Sequence, residues 1–174
     1  AMAASDRFQI TVKGQQTHGA MPWNGVDPIV TASQIVLGLQ TIASRQVDVT
    51  LAPSIISIGR IEGGVRNNVI PDQVEMEGTI RTFDPEMRKQ IHQRIENTAR
   101  GIAGAVGAEI EFDLDLGYPA LINSAELYEQ MLPTLKRVAG NVEKSNPHTT
   151  AEDFAYFALA TPGLYVFLNS GPME

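Results

Sequence analysis

The 174 residues carry a formal net charge of −7, with 43% hydrophobic and 19% charged residues and no cysteine. This composition belongs to a globular chain and excludes disulfides and thiolate sites, while the acidity argues against a nucleic-acid surface, which needs clustered Lys and Arg. No run of eighteen apolar residues exists, so no membrane-spanning segment is expected.

Phe8, Ile10 and Val12 alternate with Arg7, Gln9, Thr11 and Lys13, the two-residue period of a half-buried strand. The loop GQQTHGAMPWNGV follows, with His18 near its middle. Asp27 and Pro28 predict a helix start, because proline's missing N–H costs nothing in the first turn. Ile29, Ala32, Ile35, Val36, Leu39, Ile42 and Ala43 then recur at helical spacing to about Arg45. SIISIGRI, residues 54–61, reads as a β-branched strand, and Gly63, Gly64 and Pro71 break the chain before the next one. In that third strand Val74, Met76 and Ile80 alternate with Glu75, Glu77, Thr79 and Arg81. Asp84-Pro85 repeats the cap signal for a second helix, marked by Met87, Ile91, Ile95, Thr98 and Ile102 and expected to stop among Gly101, Gly104 and Gly107. Its inward Ile91 and Ile95 turn His92 toward solvent. Ile110, Phe112 and Leu114 mark a fourth strand.

The order β-α-β-β-α-β predicts an α+β fold, a ferredoxin-like sandwich of one four-stranded antiparallel sheet covered on one face by two helices. It closes at about residue 115. Beyond it lie a helix in NSAELYEQMLPTLKRVAG with a kink or break at Pro133, a short helix in TTAEDFAYFALA with a Thr-Thr start, and the strand GLYVFLNS, residues 163–170. That strand is nearly continuous in apolar residues, the pattern buried on both faces of an α/β sheet. Three such elements cannot bury their faces alone. A longer polypeptide is therefore expected, with 6–115 as one domain and 116–174 as an incomplete piece of another. The start, AMAASDRFQI, lacks the charged and apolar stretches of a signal peptide.

Three kinds of polar residue stand out. His18 lies on a loop, where a solvated or capping histidine is the ordinary alternative. Asn67 and Asn68 lie in a Gly-rich loop, where Asn commonly supplies left-handed turn geometry. Arg81 faces away from Val74, Met76 and Ile80, and an ion pair with Glu75 or Glu77 would account for it. The loops after the first and second strands can reach the open face of the sheet. An imidazole, an amide and a guanidinium gathered there would suit a carboxylate or a developing oxyanion. No His-x-His, His-Glu-x-x-His or Glu-Glu pair is present. His148 with Glu152 and Asp153 reads as a loop histidine ahead of an acidic helix start, so no metal is expected in this chain alone. Neither a phosphate loop nor a Ser/His/Asp signature appears.

HGAMPWNGVDPI, NNVIPDQVEMEGTIRTFD, and TTAEDFAYF with PGLYVFL resemble the zinc-dependent aminoacylase and carboxypeptidase family of metallopeptidases. The closest branch is that of the hippurate hydrolases and N-acyl-amino-acid amidohydrolases, which includes the auxin-conjugate hydrolases. The thirteen-residue interval from Asn68 to Arg81 matches the family's. The resemblance implies a two-domain subunit in which a βαββαβ lid, inserted into a metal-binding α/β domain, mediates homodimerisation. It implies a dinuclear zinc enzyme in the full-length protein, cleaving N-acyl amino acids or small peptide-like amides through a metal-bound water and a glutamate outside this chain. It further implies that His18 reaches the partner's site as oxyanion donor, and that Asn67, Asn68 and Arg81 hold the substrate. The family's metal ligands are missing here, so this chain alone is expected to be inactive. No nucleic-acid or membrane partner is expected, and the cytoplasm is the expected compartment. The rival reading is a non-catalytic ferredoxin-like module for dimerisation or for binding a small regulatory acid.

Overall fold

A computed structural model describes residues 1–169 and 171 of the chain. Strands β1 (Ala4–Lys13), β3 (Ser54–Gly63), β5 (Gln73–Thr82) and β6 (Glu109–Leu116) form one sheet in the order β3-β5-β1-β6, with every pair antiparallel. Helices α1 (Pro28–Thr41) and α2 (Pro85–Ala105) cover one face. This is the sandwich expected from the alternation. Strands β2 (Thr17–His18) and β4 (Val69–Ile70) add a short two-stranded ribbon within segments that the sequence predicts as loops.

The helices start where their caps place them. Asp27 accepts hydrogen bonds from Ile29 N and Val30 N at 2.9 and 3.2 Å, and Asp84 accepts one from Met87 N at 2.7 Å. Each bond satisfies an N–H that has no partner within the helix. Helix α1 widens into a π-helical turn over Ile42–Gln46, near its expected end. Helix α2 runs through Gly101 and Gly104 and ends at Ala105; Gly107, with a φ of +77°, then turns the chain so that Ala108 N bonds back to Ala103 O at 2.9 Å.

The core lies between the helices and the covered face of the sheet. Phe8, Ile10, Val12, Val74, Met76 and Ile80 from the sheet meet Ile35 and Leu39 of α1 and Ile91 and Ile95 of α2. Each fully buried side chain of this size contributes about 1.5–3 kcal/mol. Gly78 stands opposite Phe8, and a Cβ there would lie 2.2 Å from the Phe8 ring, so the ring occupies the space over the glycine. At the sheet edge, Gly59 is an extra residue in β3, between Ile58 opposite Gly78 and Arg60 opposite Glu77.

The segment after β6 departs from expectation at three points. Where a kink or break is expected at Pro133, helix α3 (Ala125–Ala139) runs through it as a single element and does not break. Both Pro133 and Glu129, whose carbonyl loses its bond, are exposed, so water can satisfy that oxygen. Helix α4 (Phe154–Ala160) starts four residues after the Thr-Thr pair, and Asp153 caps it without a side-chain bond. GLYVFLNS is not a strand over its described residues 163–169; Ser170 lies outside the described residues. No neighbouring strand pairs with it among the described residues, and Leu168 is 86% exposed. A strand is defined by its ladder, and an apolar run without a partner does not form one. Asn123 gives the run one anchor, its amide bonding Tyr165 O at 2.8 Å and its carbonyl accepting from Tyr165 N at 2.9 Å. Met2, Leu121 and Ala155 form a second, small core with Phe154, Ala158 and Tyr165.

Candidate functional site

His18 is exposed on the β2–β4 ribbon, opposite Val69, at the far end of the sheet from the chain crossing to residue 117. Gly14 N bonds Asp72 O at 2.8 Å, which sets the ribbon beyond the Lys13–Gln73 end of the ladder. Gly19 N bonds Asn68 O at 2.8 Å, and a Cβ on Gly19 would come 3.2 Å from that oxygen. The glycine after His18 thus lets the two sides of the ribbon close. Ala20 N donates to His18 Nδ1 at 3.1 Å. An accepting Nδ1 assigns the neutral ring's proton to Nε2, so His18 presents an N–H donor outward.

Asn67 and Asn68 occupy the turn before β4 and are exposed. No non-glycine residue among the described residues has a positive φ, so this turn does not draw on asparagine's tolerance of left-handed backbone. Neither side-chain amide is hydrogen-bonded among the described residues. Turn geometry therefore leaves these two side chains free to bind something else.

Arg81 lies on the open face, half-buried, directly opposite Ser5 on β1 and Ile55 on β3. It pairs with neither acidic neighbour: Glu77 takes Arg60 at 2.7 Å, and Arg81 makes no ion pair among the described residues. Its Nη1 donates to Ser5 Oγ at 2.6 Å and to Ile80 O at 3.2 Å.

The three groups do not gather within the chain. Arg81 is eight residues along β5 from Gln73, about 27 Å at the rise of an extended strand, and the ribbon lies beyond Gln73. His18 and Asn68 share one end, and Arg81 stands at the other. Expectation placed them together because all three can reach the open side of the sheet; register along the strand separates them.

A buried ionic cluster was missed. Asp6 faces the helices, its side chain 1% exposed, and accepts from Arg88 Nε at 2.8 Å and Nη2 at 2.5 Å, from His92 Nε2 at 2.7 Å and from Gly117 N at 3.1 Å. His92 is thus not solvated but 14% exposed, because Arg88 and His92, four residues apart, turn one side of α2 toward this carboxylate. Burial alone pushes the Asp6 carboxyl up, but the hydrogen bonds and charges of Arg88 and His92 override it and hold the group at about 2. The signal was present: Ala4, Asp6, Phe8 and Ile10 share one parity, so Asp6 is a charge at a core position.

No group of three or more His, Cys, Asp or Glu able to hold a metal exists among the described residues. His148 instead packs against Phe167 with ring centres 4.6 Å apart and the rings tilted by 41°, and Glu152 accepts from the Tyr165 hydroxyl at 3.1 Å. No described helix is long and apolar enough to cross a membrane.

Residues 4–107, more than half of the chain, match the M20 peptidase dimerisation domain. The chain is 39% identical over 169 residues to an N-acetyl-L-cysteine deacetylase of Bacillus subtilis, covering 97% of this chain and 40% of that protein. It is 44% identical over 125 residues to an N-acyl-L-amino acid amidohydrolase of Geobacillus stearothermophilus, covering 72% of this chain and 34% of that protein. A solved Bacillus subtilis structure, described as a dinuclear metal-binding peptidase from the M20 family, superposes with a TM-score of 0.75 at 33% identity, over 93% of this chain and 39% of that one. The chain thus spans less than half the length of these relatives. With the βαββαβ sandwich and matches of this extent, the chain belongs to the M20 peptidase family.

Proposed function

We propose that this chain is the lid, residues 6–115, and an adjoining part, residues 116–174, of a homodimeric amidohydrolase that cleaves N-acyl amino acids. Each active site draws on both lids. Arg81 serves the site of its own subunit, because it sits where β1 meets residues 117–121, with Ser5 N bonded to Tyr118 O at 2.9 Å and Met2 paired with Leu121. His18 and Asn68, beyond the opposite end of the β1–β5 ladder, serve the partner's site. The observation that carries this reading is that separation, together with an Nε2–H that meets no acceptor among the described residues.

In this arrangement the Arg81 guanidinium holds the substrate carboxylate as a charge-assisted pair. His18 donates Nε2–H to the oxygen that gains charge as the acyl carbon becomes tetrahedral, and the amides of Asn67 and Asn68 orient the substrate. The family neighbour's two metal ions would be divalent, with zinc the natural candidate, and the described residues do not form their site. Dimerisation would use the free edge of β3 and the adjacent outer side of α1. Leu37 is 70% and Ile61 51% exposed there, and no lysine or proline interrupts β3. Against a purely regulatory module stands the similarity to hydrolases across 97% of the chain, residues 116–174 included.

Mixed dimers of the full-length enzyme test the shared site. One subunit carries His18→Ala and the other Arg81→Ala. If His18 crosses the dimer, one site keeps both residues and the other has neither, so the purified mixed dimer recovers about half of wild-type turnover. If both residues serve one subunit, every site is defective and no recovery occurs. Each homodimer should fall by about 10²-fold or more for His18→Ala, the usual cost of losing an oxyanion donor.

A further inference from the structure

We infer that Ser5 is a positioning residue that fixes which edge of the Arg81 guanidinium meets the substrate, an inference that rests on Arg81 being the carboxylate anchor. Nη1 of Arg81 carries two hydrogens. One goes to Ser5 Oγ at 2.6 Å and the other to the Ile80 carbonyl at 3.2 Å. Nothing among the described residues engages Nε or Nη2. The edge left for a ligand is therefore the Nε–Nη2 side, whose two parallel N–H groups match the two oxygens of a carboxylate. With Nη1 tied down, the end-on Nη1–Nη2 approach is closed.

Ser5 is itself held on both sides. It stands opposite Arg81 in the β1–β5 ladder, and its N–H donates to Tyr118 O at 2.9 Å. Gly117 lies so close that a Cβ there would be 2.1 Å from Ser5 O, so only glycine lets the chain leaving β6 press against β1 at this point. The hydroxyl is thereby placed by backbone, not by its own rotamer alone. An arginine on an open face has many rotamers to lose when it binds, and that loss weakens binding. Ser5 removes part of that freedom before the substrate arrives. No acidic side chain among the described residues neutralises the guanidinium, so its charge stays available to the ligand.

The test uses the full-length, metal-loaded dimer with N-acetyl-L-methionine and its carboxamide as substrates, reading kcat/KM for acid over amide. Ser5→Ala should raise KM for the acid about three- to tenfold with kcat within about a factor of two, lowering the acid preference. Ser5→Thr, which keeps the hydroxyl, should retain the wild-type preference. Arg81→Ala should abolish it. If Arg81→Ala abolishes the preference but Ser5→Ala leaves it intact, the positioning role is wrong while the carboxylate anchor stands. If Ser5→Ala lowers turnover of acid and amide equally, Ser5 serves the fold only and the inference falls. If Arg81→Ala leaves the preference unchanged, the anchor is wrong and Ser5 loses its role with it.

Discussion

Replacing Asp6 with alanine should be among the most damaging single changes in the sandwich. The carboxylate is 1% exposed and holds Arg88, His92 and Gly117 N together, and its loss leaves a guanidinium 18% exposed and an imidazole 14% exposed without their partner. The fall of the Asp6 carboxyl from its ordinary 3.8 to about 2 corresponds to about 2–3 kcal/mol of preference for the ionised form. Removing one partner of a buried pair costs about 3–5 kcal/mol, and the partial exposure of Arg88 and His92 places this case near the lower end. About 3 kcal/mol in a chain of this size lowers Tm by roughly 6–12 °C. Thermal unfolding followed by circular dichroism at neutral pH measures it directly. Because the folded carboxyl titrates below the unfolded one, the pairing contributes fully above about pH 4 and is lost as pH falls toward 2. Asp6→Asn, which keeps an acceptor but no charge, should therefore be less stable than wild type at neutral pH. The difference should shrink between about pH 4 and 2. An Asp6→Ala protein melting within about 2 °C of wild type would refute the assignment of this cluster as a stabilising tie.

Gly78→Val should destabilise by about 1–3 kcal/mol in urea unfolding, because its Cβ meets the Phe8 ring at 2.2 Å and Ser57 O at 2.6 Å. Leu37→Glu combined with Ile61→Lys should shift the protein toward monomer in sedimentation at micromolar concentration without changing its circular dichroism; an unchanged dimer would place the interface elsewhere. The 174-residue chain alone, dialysed after exposure to zinc, should retain no stoichiometric metal and hydrolyse no N-acetyl amino acid; a retained pair of ions with turnover would contradict the ligand inventory.

What the amino-acid sequence determined by itself is what depends on near neighbours in the chain. Asp27-Pro28 and Asp84-Pro85 start their helices because a cap acts over three residues. The alternation through Phe8 to Val12 and Val74 to Ile80 set the covered face of the sheet, because side chains change sides at every residue. The tertiary structure decided what depends on partners distant in sequence. GLYVFLNS has a strand's composition but no ladder to join among the described residues. His92 looked solvated because helical periodicity ranks it only against its own helix, whereas its partner Asp6 lies 86 residues earlier. Arg81 and His18 looked like neighbours because both belong to the open side of the sheet; their separation is a distance along β5, and only strand register supplies that length.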